Sequence, residues 1–400
     1  MITDLRRRYN AAFTEERYNA YIADINSALR YPMDFHLCET PLFLPRPLMA
    51  ELVQASLSLT RLVSTPDYLA RAESAIPPGL NVPGEIPRNH FIQYDFALCY
   101  GEDGQIVPRL IELQGFPTLF GFQWLLATKT RDHFEIVRDL LYYANGHTEQ
   151  SYLDLFRRAV VADHDPENVI LMEIHPEEQK TRIDFAATEK LLGIHTVCLT
   201  KVLKRGTKLA YKDEKGREIP ITRIYNRVIF DELERHNHDG QYRLTDEVDV
   251  TWAGHPNWFF KLSKYSLPLI QSSYVPEAHF LSDLTTHPHD LSDFVLKPLY
   301  SYSGIGVELD VTPERLNVIP LDQRGDYILQ RKIDYAPVVE TPDDPARAEI
   351  RLMLIWLDDA PQPEVVATLV RMSKGRMMGT RYNKDRRWVG STLAYYPQDE

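Results

Sequence analysis

The sequence predicts a mixed α/β (α+β) fold with a small parallel sheet inserted between two larger parts. Three observations carry that expectation. Residues 91–115 form two β-rich runs around a Gly-Glu-Asp-Gly turn, the pattern of a β-hairpin. Residues 167–199 run strand, helix, strand, which is the βαβ pattern of a parallel sheet. Residues 3–29 carry Tyr9, Phe13, Tyr18 and Tyr21 on one helical stripe, so the chain opens with an amphipathic helix whose aromatics face the core.

The remaining elements follow in order. Residues 45–72 read as a second helical stretch, and residues 77–87 as a Pro/Gly-rich loop leading into the hairpin. Residues 132–156 read as mostly helical. A strand at 169–174, a helix at 182–192 and a strand at 193–199 make the βαβ unit, followed by a hairpin around 213–216 and a strand over 221–229. No internal repeat or low-complexity tract appears. His175, Gln179 and Asp184 follow the first of these strands, and Tyr225, Asn226 and Arg227 lie on the last. Open α/β sheets bind ligands at such strand ends, although an Arg or His there is more often a local hydrogen-bond partner.

The hairpin has one chemically unusual face. With its turn centred between Asp103 and Gly104, Asp95 falls opposite Glu112 and Gln93 opposite Gln114. Alternation then places Tyr94, Phe96, Leu98, Ile111 and Leu113 on the other, apolar face. Two carboxylates and an amide oxygen are hard ligands suited to Mg²⁺. The plain alternative is a solvated sheet face. The Gln-Gly-Phe-Pro turn after the second strand and the apolar reverse face favour the metal.

A second stretch, Phe294-Val-Leu-Lys-Pro-Leu-Tyr-Ser-Tyr-Ser-Gly-Ile-Gly-Val307, has the composition of a phosphate grip. A buried strand delivers Lys297 to a fixed point. In the loop behind it, Ser303, Gly304 and Gly306 let backbone N–H groups approach anionic oxygens. A Ser/Gly hairpin is otherwise an ordinary turn, so the partners elsewhere in the chain carry the assignment.

Together these motifs resemble a known family. Asp95 followed by Glu112-Leu-Gln114 resembles the Asp … Glu-x-Asn metal signature of ATP-grasp enzymes, but here it precedes the lysine and the glycine loop. That order resembles the circularly permuted ATP-grasp of eukaryotic-type glutathione synthetases and glutathionylspermidine synthetases, with matching motifs scattered from about residue 90 to residue 392. The resemblance implies an N-terminal part with the metal hairpin (1–160), an inserted substrate subdomain (161–245) and a nucleotide-gripping part (246–400). It implies ATP and Mg²⁺ as cofactors, with Asp95, Glu112 and Gln114 on the metal. Lys264, at the end of His255-Pro-Asn-Trp-Phe-Phe-Lys-Leu-Ser-Lys, would be the first nucleotide lysine and Lys297 the second. Gln330 would meet the adenine amine, with Arg331, Lys332 and Ile333 along the ring edge. Arg351 and Arg371 would grip the transferring phosphate. Asn383, between Arg381 and the basic residues Lys384, Arg386 and Arg387, belongs to the closing segment. Gln93, Arg227 and Asn383 would face substrate. Gln114 departs from the usual Asn, and Gln93 stands where close relatives of glutathionylspermidine synthetase carry an arginine.

Composition narrows the partners. Lys and Arg number 45 against 57 Asp and Glu, giving a net charge of −12 without a long basic patch, which argues against nucleic acid. Cys38, Cys99 and Cys198 are few and far apart, as expected of reduced thiols in a cytoplasmic protein. No apolar run reaches the ~20 residues of a membrane span, and the N-terminus lacks the apolar core of a signal peptide. The sequence therefore predicts a cytoplasmic ATP-dependent ligase joining a small-molecule or peptide carboxylate to an amine. Its alternatives are a nucleotide-binding module that has lost catalysis and an ATP-grasp kinase. The lack of Gly-x-Gly-x-x-Gly after an early strand disfavours a Rossmann dehydrogenase.

Overall fold

The structure, a computed structural model, describes residues 1–400 apart from 237–239, 302, 303, 380, 381, 384, 399 and 400 and the side chain of Glu234. Its main strands are β1 (Phe91–Tyr100), β2 (Ile106–Gln114), β3 (Val169–Glu173), β4 (His195–Cys198), β5 (Arg223–Asn226), β6 (Thr251–Ala253), β7 (Ala278–Phe280), β8 (Phe294–Pro298), β9 (Tyr327–Arg331), β10 (Arg347–Ile355), β11 (Glu364–Ser373) and β12 (Gly390–Thr392).

Three sheets matter for the site. The largest is antiparallel, in the order β12-β11-β10-β1-β2, so the early hairpin is completed by strands from the end of the chain. A parallel sheet, β6-β5-β3-β4, holds the βαβ unit. A third, β7-β9-β8, is antiparallel and carries Lys297.

The helices are shorter than the apolar periodicity suggested. The first stretch is two helices, α1 (Thr3–Ala12) and α2 (Glu15–Ala28), because the Thr14 hydroxyl accepts the Arg17 N–H and restarts the chain as an N-cap. The second splits into α3 (Arg46–Leu62) and α4 (Pro66–Ala72), where Thr65 caps Tyr68 and Pro66 occupies the first helical position. The third is displaced. Helix α5 spans Phe120–His133 and α6 spans Glu149–Val160, the latter opened by a Thr148–Ser151 capping box just after the positive-φ residues Asn145 and Gly146. In the βαβ unit, α7 (Arg182–Leu192) follows β3 as expected.

Both faces of the large sheet are buried at one end. Tyr94, Phe96, Leu98, Leu113, Ile350, Leu352 and Leu354 pack under α3, while Met353, Ile355, Ala367 and Leu369 pack under α2, α5 and α6. Each such aliphatic or aromatic side chain contributes about 1.5–3 kcal/mol over exposure, so packing on these faces fixes the sheet and leaves its charged patch free for chemistry. The hairpin register at Asp95 and Glu112 is the expected one. Past Asp95 it shifts by one residue at a bulge, so that Phe96 pairs with Leu110. Leu110 therefore takes the core place expected of Ile111, and Ile111 is only half-buried.

After β2 the chain turns at Gly115 against the short helix Trp258–Lys261. The Gly115 N–H donates to the Leu262 carbonyl at 2.9 Å, and a Cβ at this position would lie 2.2 Å from the Trp258 carbonyl oxygen. That clash is with backbone, which cannot swing aside. Gly115→Ala is expected to lower stability by about 1–3 kcal/mol in urea unfolding. A change under ~0.5 kcal/mol, the range of ordinary surface substitutions, would show that the turn can shift at little cost.

Candidate active site

Register assembles the charged patch before any side chain selects a rotamer. Asp95 lies opposite Glu112 on β2 and opposite Arg351 on β10, while Glu349 lies opposite Arg371 on β11. Directly opposed residues point to one face. Gln93 and Gln114, also opposed, extend the same face toward the Gly115 turn.

Asp95 is 1 % exposed and sits at the centre. Arg351 donates to it through Nε and Nη2 at 2.6 and 2.7 Å, and Arg371 Nη2 reaches its Oδ2 at 2.6 Å. These are charge-assisted bonds of the strong kind. The same Nη2 donates to Glu349 Oε1, and the Tyr335 hydroxyl donates to Glu349 Oε2 at 2.6 Å. Burial drives the Glu349 carboxyl upward, opposed by Arg371 and reinforced by Asp95. Burial also works against the Arg371 charge, but Glu349, Asp95 and Glu112 outweigh it and hold the guanidinium more firmly protonated than usual.

Two lysines approach from other elements. Lys297 on β8 donates to the Ile111 carbonyl at 3.3 Å, and Gln330 Nε2 on β9 lies 3.5 Å from the Leu110 carbonyl. The bulge thus turns two successive carbonyls toward the small sheet. Burial lowers Lys297 to about 8, against the pull of Glu112. Lys264 begins the turn Lys264–Leu269, donates to the Ser301 carbonyl and stands 3.9 Å from Glu112 Oε2. Burial alone would raise Glu112, yet Lys264, Arg371, Lys297 and Arg351 overcome it and bring the carboxyl to about 2. Behind Lys297, Leu296 and Glu308 exchange paired backbone bonds, and Gly304 and Gly306 take φ of 69° and 73°. A Cβ on Gly306 would meet Pro298 Cγ at 2.9 Å.

The donor set fits a nucleotide and one metal position. Gln114 donates its Nε2 to Glu112 Oε1 at 2.9 Å, and its Oε1 is buried without a partner, as are Gln330 Oε1 and Gln93 Oε1. Glu112 with Gln114 therefore offers Mg²⁺ hard oxygens, and Gln330 offers an acceptor to an exocyclic amine. Asp95 does not fit the same role. A divalent ion placed 4 Å from a guanidinium costs about 8 kcal/mol at an effective dielectric near 20, and Asp95 holds two guanidinium groups. Among the described residues, no group of three or more His, Cys, Asp or Glu could hold a metal.

Other expected residues have different employment. Asn383 accepts from Ser373 Oγ and the Lys374 and Gly375 N–H groups at 3.0–3.1 Å and donates to the Met377 and Gly379 carbonyls. Its amide is spent holding the loop after β11, so it is a loop clamp where a substrate contact was expected. The N–H groups of Arg331 and Lys332 are bonded to the Glu277 and Asp293 carbonyls, and the Arg331 guanidinium pairs with Glu277 and Asp290. Ser303, Arg381 and Lys384 lie outside the described residues. Asp184 caps α5, accepting the Phe122 and Leu119 N–H groups at 2.9 and 3.1 Å.

Gln93 and Arg227 both reach the Pro117–Thr118 stretch. Gln93 Nε2 donates to the Thr118 carbonyl at 3.0 Å, and Arg227 donates to the Pro117 carbonyl. Two further residues went unnoticed in the sequence. Glu349 shares parity with Arg351 along β10 and could have been placed on its face. Tyr335 carries no such signal.

No protein family and no curated protein matches the sequence. In structure, the chain matches a glutathione synthetase-like effector from Globodera pallida in its apo form, at 10% identity and a TM-score of 0.58, with 95% of this chain and 96% of that one covered. A provisionally named gamma-glutamylcysteine synthetase from Methylobacillus flagellatus aligns at 12% identity over 88% of this chain and 87% of its own, with a TM-score of 0.35, too low to equate the folds. The chain thus has a glutathione synthetase-like mixed α and β fold. No helix among the described residues is long and apolar enough to cross a membrane.

At the carboxyl end of β3, Glu173 is buried and its carboxyl is pushed up to about 8 by burial, with Arg227 opposing and Glu232 reinforcing. A carboxyl raised on folding keeps its proton where the unfolded chain has lost it, so its contribution falls as pH rises from the unfolded value toward 8. Glu173→Gln removes that slope. The variant is expected to match wild type near pH 5 and to exceed it in urea midpoint at pH 8.5. A variant weaker at pH 8.5 would mean that Glu173 is held charged.

Proposed function

We propose that this chain is an ATP-dependent carboxylate–amine ligase of the circularly permuted ATP-grasp kind. The observation that carries the reading is the convergence of Lys264, Lys297, Arg351 and Arg371, from four separate elements, on a patch with Asp95, Glu112 and Glu349. Four permanent or near-permanent cations facing three carboxylates, one of them driven toward its neutral form, make a site for a polyanion. The glutathione synthetase-like fold supports the reading.

In this reading the substrate carboxylate attacks the γ-phosphorus of ATP, the bond to the bridging oxygen of ADP breaks, and an acyl phosphate forms. The amine then attacks the acyl carbon, phosphate leaves, and the amine proton passes to solvent. Lys297 and Lys264 neutralise the phosphates, while Arg351 and Arg371 face the transferring group. Positioning and charge neutralisation carry such a transfer. Mg²⁺ held by Glu112 and Gln114 would offset further charge on the phosphate oxygens. Residues 300–306 would act as a lid that covers the acyl phosphate and excludes water. Gln93 and Arg227, both bonded to the Pro117–Thr118 stretch, would lie toward the substrates. A binding-only role is the second reading, favoured by the arginines that already occupy Asp95.

Thermal unfolding with adenylyl imidodiphosphate and Mg²⁺ tests the nucleotide site, since ligand at 100 times Kd adds about 2.7 kcal/mol. Wild type is expected to be stabilised and Lys297→Met to show no shift while folding normally. ADP release with acid and amine pairs then separates the two readings: Glu112→Gln is expected to lose turnover by on the order of 100-fold. A wild type that is stabilised by nucleotide yet never releases ADP would support the binding-only role.

A further inference from the structure

Resting on that reading, we propose that Arg371 occupies the place a divalent cation would take between Asp95 and Glu349, making Asp95 a positioning residue for two arginines and leaving Mg²⁺ to Glu112 and Gln114. The argument begins with what each carboxylate already holds. Asp95 accepts three charge-assisted bonds, two from Arg351 and one from Arg371, and is almost wholly buried. Any ion reaching its remaining lone pair would stand against both guanidinium groups. Glu349 is likewise engaged on both oxygens, by Arg371 and by the Tyr335 hydroxyl.

Arg371 Nη2 touches both acids at once. A positive centre bridging two buried carboxylates is the electrostatic role of a bound dication, supplied here by the chain itself. The arrangement is fixed in the backbone, because Arg351 is the cross-strand neighbour of Asp95 and Arg371 that of Glu349. Glu112 contrasts with this. Four cations surround it, but Lys264 stands 3.9 Å off and the bond it accepts is from the Gln114 amide; it is more exposed than Asp95 or Glu349, and the Gln114 oxygen has no partner. Asp95 then acts on the transferring phosphate through Arg351 and Arg371.

Mn²⁺ is the probe, titrated by electron paramagnetic resonance with adenylyl imidodiphosphate present. Asp95→Asn is expected to keep Mn²⁺ affinity within about threefold of wild type while weakening the nucleotide, whereas Glu112→Gln should lose Mn²⁺ affinity by about 10–100-fold. An equal loss of Mn²⁺ affinity in Asp95→Asn overturns the assignment. Should Asp95→Asn fail to fold, Arg371→Met decides. With the bridging cation gone, Asp95 and Glu349 are expected to take one additional Mn²⁺, and an unchanged stoichiometry overturns the proposal. A wild type that binds neither Mn²⁺ nor nucleotide overturns the ligase reading along with it, so the two failures are told apart.

Discussion

Two arginines sharing one buried carboxylate set the terms for the rest of this structure. Arg351 is buried and Arg371 half-buried, and neither guanidinium can sit in this patch without counter-charge, which Asp95 supplies to both. Removing one member of such a cluster leaves the others buried and unpaired, which is far costlier than the cluster's net contribution to stability. The large sheet therefore needs a strong apolar reverse face, and Tyr94, Phe96, Ile350, Leu352 and Leu354 form it. The charged patch is tolerated because packing on the other side holds the strands.

A single extra residue links this sheet to its neighbour. The bulge after Asp95 leaves the Asp95–Glu112 pairing intact and shifts the pairs beyond it. It presents the Leu110 and Ile111 carbonyls to Gln330 and Lys297, so an irregularity in one sheet orients functional groups on another. Bulges serve this purpose widely, re-aiming side chains beside active sites.

What could be read from the sequence follows the range of each signal. The facing of Asp95 and Glu112 is local, set by a short turn and a period of two, and alternation alone places it correctly. The helix boundaries were also local, but their signal is capping: Thr14 and Thr65 each restart a run that apolar periodicity carries straight through, and Thr148 opens α6. Alternation assigns Ile111 to the core because the bulge has no marker here, neither Gly nor Pro. The arginine clamp on Asp95 was beyond reach, since nothing in the hairpin says that strands from the far end of the chain will lie beside it. The same limit hid Tyr335 and the local bonding that absorbs Asn383.

The clamp also has a consequence for how the protein is made. Asp95 and Arg351 are 256 residues apart, and Arg371 lies further still. At a synthesis rate of about 5–20 residues per second, the hairpin emerges roughly 13–50 s before its guanidinium partner. During that interval one edge of β1 has no neighbour, and the Asp95 carboxylate lacks both of its arginines. An acid on an unpaired strand edge repels premature pairing with other chains. The charge that later gathers two arginines would thus first act as a guard on the growing chain.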